Sequence, residues 1–148
     1  MSVTIDELLA SSGLADKAVK LDANLVRFQW GSAFVIAGIS GSAVVAIAPL
    51  FRSVPTGKEL PFFKKLLEHN TYMGGMASFA LQADGWIVLH AGRAVSGIDG
   101  PEFATLVAGV GRFADQFDDQ LLAEFYTHDG SVEAHASTAN SGQFPQTD

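Results

Sequence analysis

The residues with chemistry to offer are few, and none stands in a pattern that chemistry needs. His69, His90, His128 and His135 are scattered without ligand spacing, so a solvated or locally hydrogen-bonded role explains each better than a metal ion or catalysis. Asp115, Asp118 and Asp119 gather three carboxylates on what reads as one helix. A calcium loop needs a glycine turn among its ligands, so a wet helix face accounts for them, and an acid–base pair would need a partner geometry that the sequence does not display. Gly109-Val110-Gly111-Arg112-Phe113-Ala114 matches a loose dinucleotide pattern. That pattern works between a strand and a helix; here it falls inside a helix, where small residues suit a close crossing over a sheet. Thr56-Gly57-Lys58 lacks the earlier glycine and the following hydroxyl residue of a phosphate loop. Gly38-Ile39-Ser40-Gly41-Ser42 is one residue short of a nucleophile elbow, and its flanks read strand to strand. No cysteine is present, which removes disulfides and thiolate metal sites. The chain therefore reads as non-enzymatic, with no catalytic residue, metal ligand or cofactor assigned.

The elements that would position any site are plainer. Asp84-Gly85 marks a tight hairpin turn. A two-residue turn would put Phe79 and Leu81 on the face of Trp86, Val88 and His90. A three-residue turn, with Gly85 in a left-handed bulge position, groups Phe79, Leu81, Ile87 and Leu89 and leaves Gln82 and His90 opposite. The second register is preferred because it makes one bulky apolar face. A long helix follows, opening at Asp99-Gly100-Pro101-Glu102, with Asp99 or Gly100 as cap and Pro101 in the first turn. Phe103, Leu106, Val107, Val110, Phe113, Ala114, Phe117, Leu121 and Phe125 recur at spacings of three and four, an unbroken apolar stripe.

Upstream, Thr4-Ile5-Asp6-Glu7 is a capping box ahead of Leu8 and Leu9, with Gly13 as the stop. Leu25 to Trp30 alternates as a strand, Val26, Phe28 and Trp30 on its apolar face. Ala33 to Phe51 carries no charge and is nominally long enough to span a membrane. Gly38, Ser40, Gly41 and Ser42 interrupt it, and β-branched residues flank them, so two antiparallel strands joined at Ser40-Gly41 are expected. A second helix, roughly Leu60 to Asn70, carries Phe62, Phe63, Leu66 and Leu67, with Pro61 tolerated in its first turn.

Composition bounds the function. The chain has 148 residues, 48% of them hydrophobic, which suits one domain over residues 1–126 with a real core. Thr127 to Asp148 is rich in Ser, Thr, Asn, Gln and Gly and reads as a mostly disordered tail. A net charge of −7 argues against nucleic acid or an anionic membrane as partner. The N-terminus lacks the basic and apolar regions of a signal peptide, so a cytoplasmic location is expected.

The order helix, three strands, helix, two strands, helix defines an α+β class. In that order the chain resembles the fold shared by class I type III secretion chaperones and the related YbjN-like proteins. Leu66-Leu67-Glu68-His69-Asn70 closing the second helix, Phe79-Ala80-Leu81 and Ile87-Val88-Leu89 flanking Asp84-Gly85, and the long acidic last helix carry the resemblance, over roughly Ile5 to Phe125. It implies a protein that holds a partner segment in extended form on apolar patches, without ATP. On that footing Leu8, Leu9 and Trp30 are expected to form part of a partner surface, since the first helix is too short to be stable alone; ordinary core packing is the competing expectation. A small-ligand or sensory module and a small hydrolase remain as readings from other classes.

A homodimer is expected on separate grounds. Strands Ala33 to Ile39 and Ala43 to Leu50 are apolar on both faces, and such strands are usually covered on both sides. The long helix covers one face, and one helix of three turns covers too little of the other, leaving a patch that a twofold axis would close. Resembling chaperones pair near the second helix, which places the expected interface at Phe62, Phe63 and Leu67, together with Trp86.

Overall fold

A computed structural model describes residues 3–126. The expected tail, Thr127 to Asp148, with His128 and His135, lies outside the described residues.

Helix α1 (Ile5–Ser12) starts on the expected capping box: Thr4 Oγ1 accepts from the Glu7 amide at 3.1 Å and the Glu7 carboxylate accepts from the Thr4 amide at 3.0 Å. Gly13 stops it in the left-handed region, at φ 80°. A short 3₁₀ turn leads into β1 (Ala18–Asp22), a strand that the sequence pattern had not marked. Then come β2 (Leu25–Trp30), β3 (Ala33–Ser40) and β4 (Ala43–Phe51), all antiparallel. The uncharged stretch is therefore two strands, and among the described residues no helix is long and apolar enough to cross a membrane.

Helix α2 runs over Glu59–Met73, one turn further than expected, and ends at Gly74 in the left-handed region. Strands β5 (Ser78–Leu81) and β6 (Ile87–Ala94) form the Asp84-Gly85 hairpin in the three-residue register, pairing Phe79 with Leu89 and Leu81 with Ile87. The Gly85 amide donates to the Gln82 carbonyl at 2.9 Å, and Gly85 takes φ 96° as the bulge requires. Helix α3 (Gly100–Phe125) is capped by Asp99, whose carboxylate accepts from the Glu102 amide at 2.9 Å.

The six strands make one sheet in the order β1-β2-β3-β4-β6-β5. One face carries Val26, Phe28, Val35, Ala37, Val44, Ala46, Ala48, Ile87 and Leu89, and these join one core with α1, α2 and α3. The stripe of α3 crosses β2, β3, β4 and β6 and α1 packs beside it, while α2 lies toward β5. Small residues on α3 permit the close crossing: a methyl group at Gly111 would sit 2.5 Å from the Trp30 ring. The loose dinucleotide pattern is thus a packing feature.

Candidate functional site

Two surfaces are left over once the core is closed, one beside α2 and one on the far face of the sheet.

The first follows from the position of β5. As the last strand of the sheet it has one unpaired edge. Gln82 bonds inward to Trp86, so by alternation the amides and carbonyls of Phe79 and Leu81 point outward. Asn70 at the end of α2 caps one of these, its side-chain oxygen accepting from the Phe79 amide at 2.7 Å. Between α2 and this edge lies a groove of about 360 Å³ lined by Phe63, Leu66, Leu67, Asn70, Phe79 and the strand itself. Leu67 is 67% exposed and Leu81 54% exposed. Leucines left this open beside an unpaired strand edge are the uncommon feature, because soluble chains usually blunt such edges with charge.

Next to Phe63 of the groove lies an aromatic cluster centred on Phe62, whose ring is 5.9 Å from that of Phe63. Phe62 is fully buried, its ring edge-on to Phe125 at 5.2 Å and to Phe51 at 6.4 Å. Further along, the His69 ring stacks on Phe117 at 4.2 Å. Burial there, then the Lys65 ammonium, hold the His69 pKa below the usual histidine value, against the opposing pull of Glu124 and Glu68.

The second surface is the face that the helices do not touch. It carries Phe34 and Ile36 on β3, Ile47 and Pro49 on β4, and Val88 on β6, with Trp86 packed onto the Phe34–Ile36 cluster. Arg27 crosses the Phe34 ring 4.3 Å from its centroid. His90 lies beside Ile47, and burial lowers its pKa. Gln82, on the same face, is buried with neither atom of its amide hydrogen-bonded.

The residues expected to meet partners fall in different places. Leu8 and Leu9 are buried against the chain's own core, and Trp30 is half-buried over Gly111 of α3, so in this arrangement they are engaged within the chain. Of the four residues expected at a dimer interface, Phe63 and Leu67 line the groove, Phe62 is fully buried in the core beside Phe63, and Trp86 is on the opposite face of the sheet. Leu81 and the β5 edge are what the sequence reading left out; an apolar residue facing out of an edge strand is a signal only once strand order is known.

The carboxylates of α3 are tied to the β2–β3 turn. The Ser32 hydroxyl donates to Asp118 at 2.6 Å and lies 3.0 Å from Asp115, which also accepts from the Ser32 amide at 2.9 Å. Among the described residues no cluster of three or more His, Cys, Asp or Glu side chains could hold a metal ion.

No protein-family profile and no curated protein matches the chain. Solved structures do. A chain of the heterodimeric ExoU–SpcU complex from the type III secretion system of Pseudomonas aeruginosa superposes with a TM-score of 0.59 at 18% identity, over 78% of this chain and 95% of that one. A chain of the ExsC–ExsE complex superposes with a TM-score of 0.58 at 14% identity, over 82% of this chain and 97% of that one. At such identities the likeness speaks to fold, and element order, sheet and helix placement agree with it: this is an α+β, type III secretion chaperone-like fold.

Proposed function

We propose that this chain is a non-enzymatic protein-binding module, which pairs with a second copy of itself through the α2–β5 groove and offers its remaining apolar surface to an extended segment of a partner protein in the cytoplasm. The observation that carries this reading is the groove itself: exposed Leu67 and Leu81 beside the outward backbone groups of an edge strand. Strand addition needs that combination, since main-chain bonds supply affinity and the adjoining pocket supplies specificity. A twofold axis next to β5 lets the patch meet its own copy. Both similar chains were solved in complex with a second protein, which supports a protein as the ligand class.

The competing classes fit the geometry less well. A groove of about 360 Å³ is at the small end of ligand pockets, which run from about 300 to 1,000 Å³ and carry convergent polar groups. Here the polar side chain at the groove, Asn70, is already engaged with Phe79. A hydrolase would need carboxylates facing a cleft, and Asp115 and Asp118 are instead bound to Ser32.

The test is a pair of substitutions, Leu67→Asp with Leu81→Asp, at sites open enough that stability should move by no more than about 0.5 kcal/mol each. Zero-length cross-linking of wild type should give a paired species through α2, and the double variant should not. Equal cross-linking in both would remove the groove from the interface.

A further inference from the structure

The end of α2 places a titratable side chain directly beside the one that caps the β5 edge. The His69 ring stacks on Phe117 of α3 at 4.2 Å and lies 6.2 Å from the Phe79 ring of β5, so one side chain ties the helix to two neighbours. Tyr72 meets the same Phe117 ring edge-on at 6.1 Å. In this aromatic seat the His69 Nε2 has no hydrogen-bond partner among the described residues. The next residue, Asn70, accepts from the outward Phe79 amide at 2.7 Å and so occupies a donor that the strand edge would otherwise present. Beyond Met73 the chain passes through Gly74 and Gly75, at φ 61° and 86°, two successive left-handed residues that form a hinge between α2 and β5.

The charged groups around His69 come from two of the three elements that meet there. Lys65 stands one turn earlier on α2, Glu68 adjoins it on the same helix, and Glu124 reaches in from α3, while β5 over Ser78–Leu81 carries no charge. Glu124 already lies 3.8 Å from the Lys65 ammonium. A proton on Nε2 would create a donor with no acceptor among aromatic rings and a positive charge near Lys65. The attraction of an imidazolium to the face of Phe117 opposes this, but it leaves the new N–H in the ring plane unanswered. Burial and Lys65 together outweigh Glu124 and Glu68, so the closed arrangement keeps the imidazole neutral. Once lifted into water, the ring takes a proton at the ordinary value of 6.5, and acid therefore favours the lifted state. Met73, buried in the core, opposes the lift and keeps the lifted state minor at neutral pH.

We propose that the last turn of α2 is a proton-operated catch: protonation of His69 lets residues 69–73 swing on the Gly74–Gly75 hinge, which withdraws Asn70 and frees the Phe79 amide on the β5 edge. The catch is a property of the single chain. Its consequence, that more of the edge becomes available for pairing as the pH falls, rests on the protein-binding reading above.

Hydrogen exchange of the Phe79 amide, followed by NMR in the full-length chain and corrected for the intrinsic effect of pH, reads the catch directly. Between about pH 7.5 and about pH 5.5 its protection should fall several-fold, and by no more than about tenfold, because the lower pH is about one unit below the ordinary histidine value. The amides of the β3–β4 ladder should keep theirs. His69→Phe, which retains a ring on Phe117 but takes no charge, should remove the pH dependence, and Asn70→Ala should leave Phe79 poorly protected at both values. Protection at Phe79 that stays level in wild type, or falls equally in His69→Phe, would overturn the proposal. So would a loss shared by the β3–β4 ladder, since the opening would then be global. Failure of the protein-binding reading looks different: Phe79 responds to pH as stated, but cross-linking gives no paired species at either value.

Discussion

At the scale of the residue, Gly111 has little freedom. Glycine to alanine inside a helix ordinarily gains up to about 1 kcal/mol in propensity. Here the added methyl would lie 2.5 Å from the Cγ and Cδ2 atoms of Trp30, the root of a ring already pinned between α3 and the sheet. Overpacking of that kind costs about 1–3 kcal/mol, so Gly111→Ala should lower stability in urea unfolding despite the better helix former. A rise would mean that the crossing is looser than described. His69 and His90 give the chain a pH dependence. Burial leads in lowering both, so the folded chain binds fewer protons than the unfolded one across the window below the ordinary value of 6.5. Their contribution is complete above about pH 6.5 and is lost as the pH falls through the folded values. The thermal midpoint should hold level down to that point and then decline, and His69→Gln with His90→Gln should flatten the decline. A midpoint that rises on acidification would mean that the folded chain takes up more protons than the unfolded one.

At the scale of the element, what could be read in advance was what local chemistry decides. The capping box at Thr4, the Asp99 cap with Pro101 behind it, and the bulge at Gly85 are each written in three or four adjacent residues, and all three occur. Strand β1 escaped because Ala18-Val19-Lys20-Leu21-Asp22 has no consistently apolar face: Val19 is 61% exposed, and the strand is held by pairing with β2 and by a Lys20–Asp6 ion pair at 2.8 Å. The sequence reading set α2 over the face opposite α3, and the structure corrects this: α2 shares the core of α1 and α3, because its apolar stripe would fit either face and the choice rests on contacts with Phe51, Phe125 and Phe117 that are remote in sequence. Two predictions belong here. Phe62→Ala should cost about 3–5 kcal/mol, because a fully buried ring among Phe51, Phe125 and Tyr126 leaves a cavity. Leu8→Ser with Leu9→Ser should lower the thermal midpoint by loosening α1 from α3, since both leucines are within the core. A midpoint unmoved by that double change would return α1 to the role of a free partner surface.

At the scale of the molecule, the sheet separates two apolar surfaces that the sequence could only pool. Leu67 and Trp86 look alike as exposed-prone apolar residues, yet the β5 edge puts one beside α2 and the other on the face away from every described helix. On the reading proposed above, the groove beside β5 is where a second protein pairs. On that reading the groove is filled by protein, first of all by a second copy of the chain. Multi-angle light scattering of the full-length chain at micromolar concentration tests it most directly: a mass twice the 15.6 kDa of one chain is expected, falling to 15.6 kDa for Leu67→Asp with Leu81→Asp. Wild-type protein at 15.6 kDa throughout would contradict it.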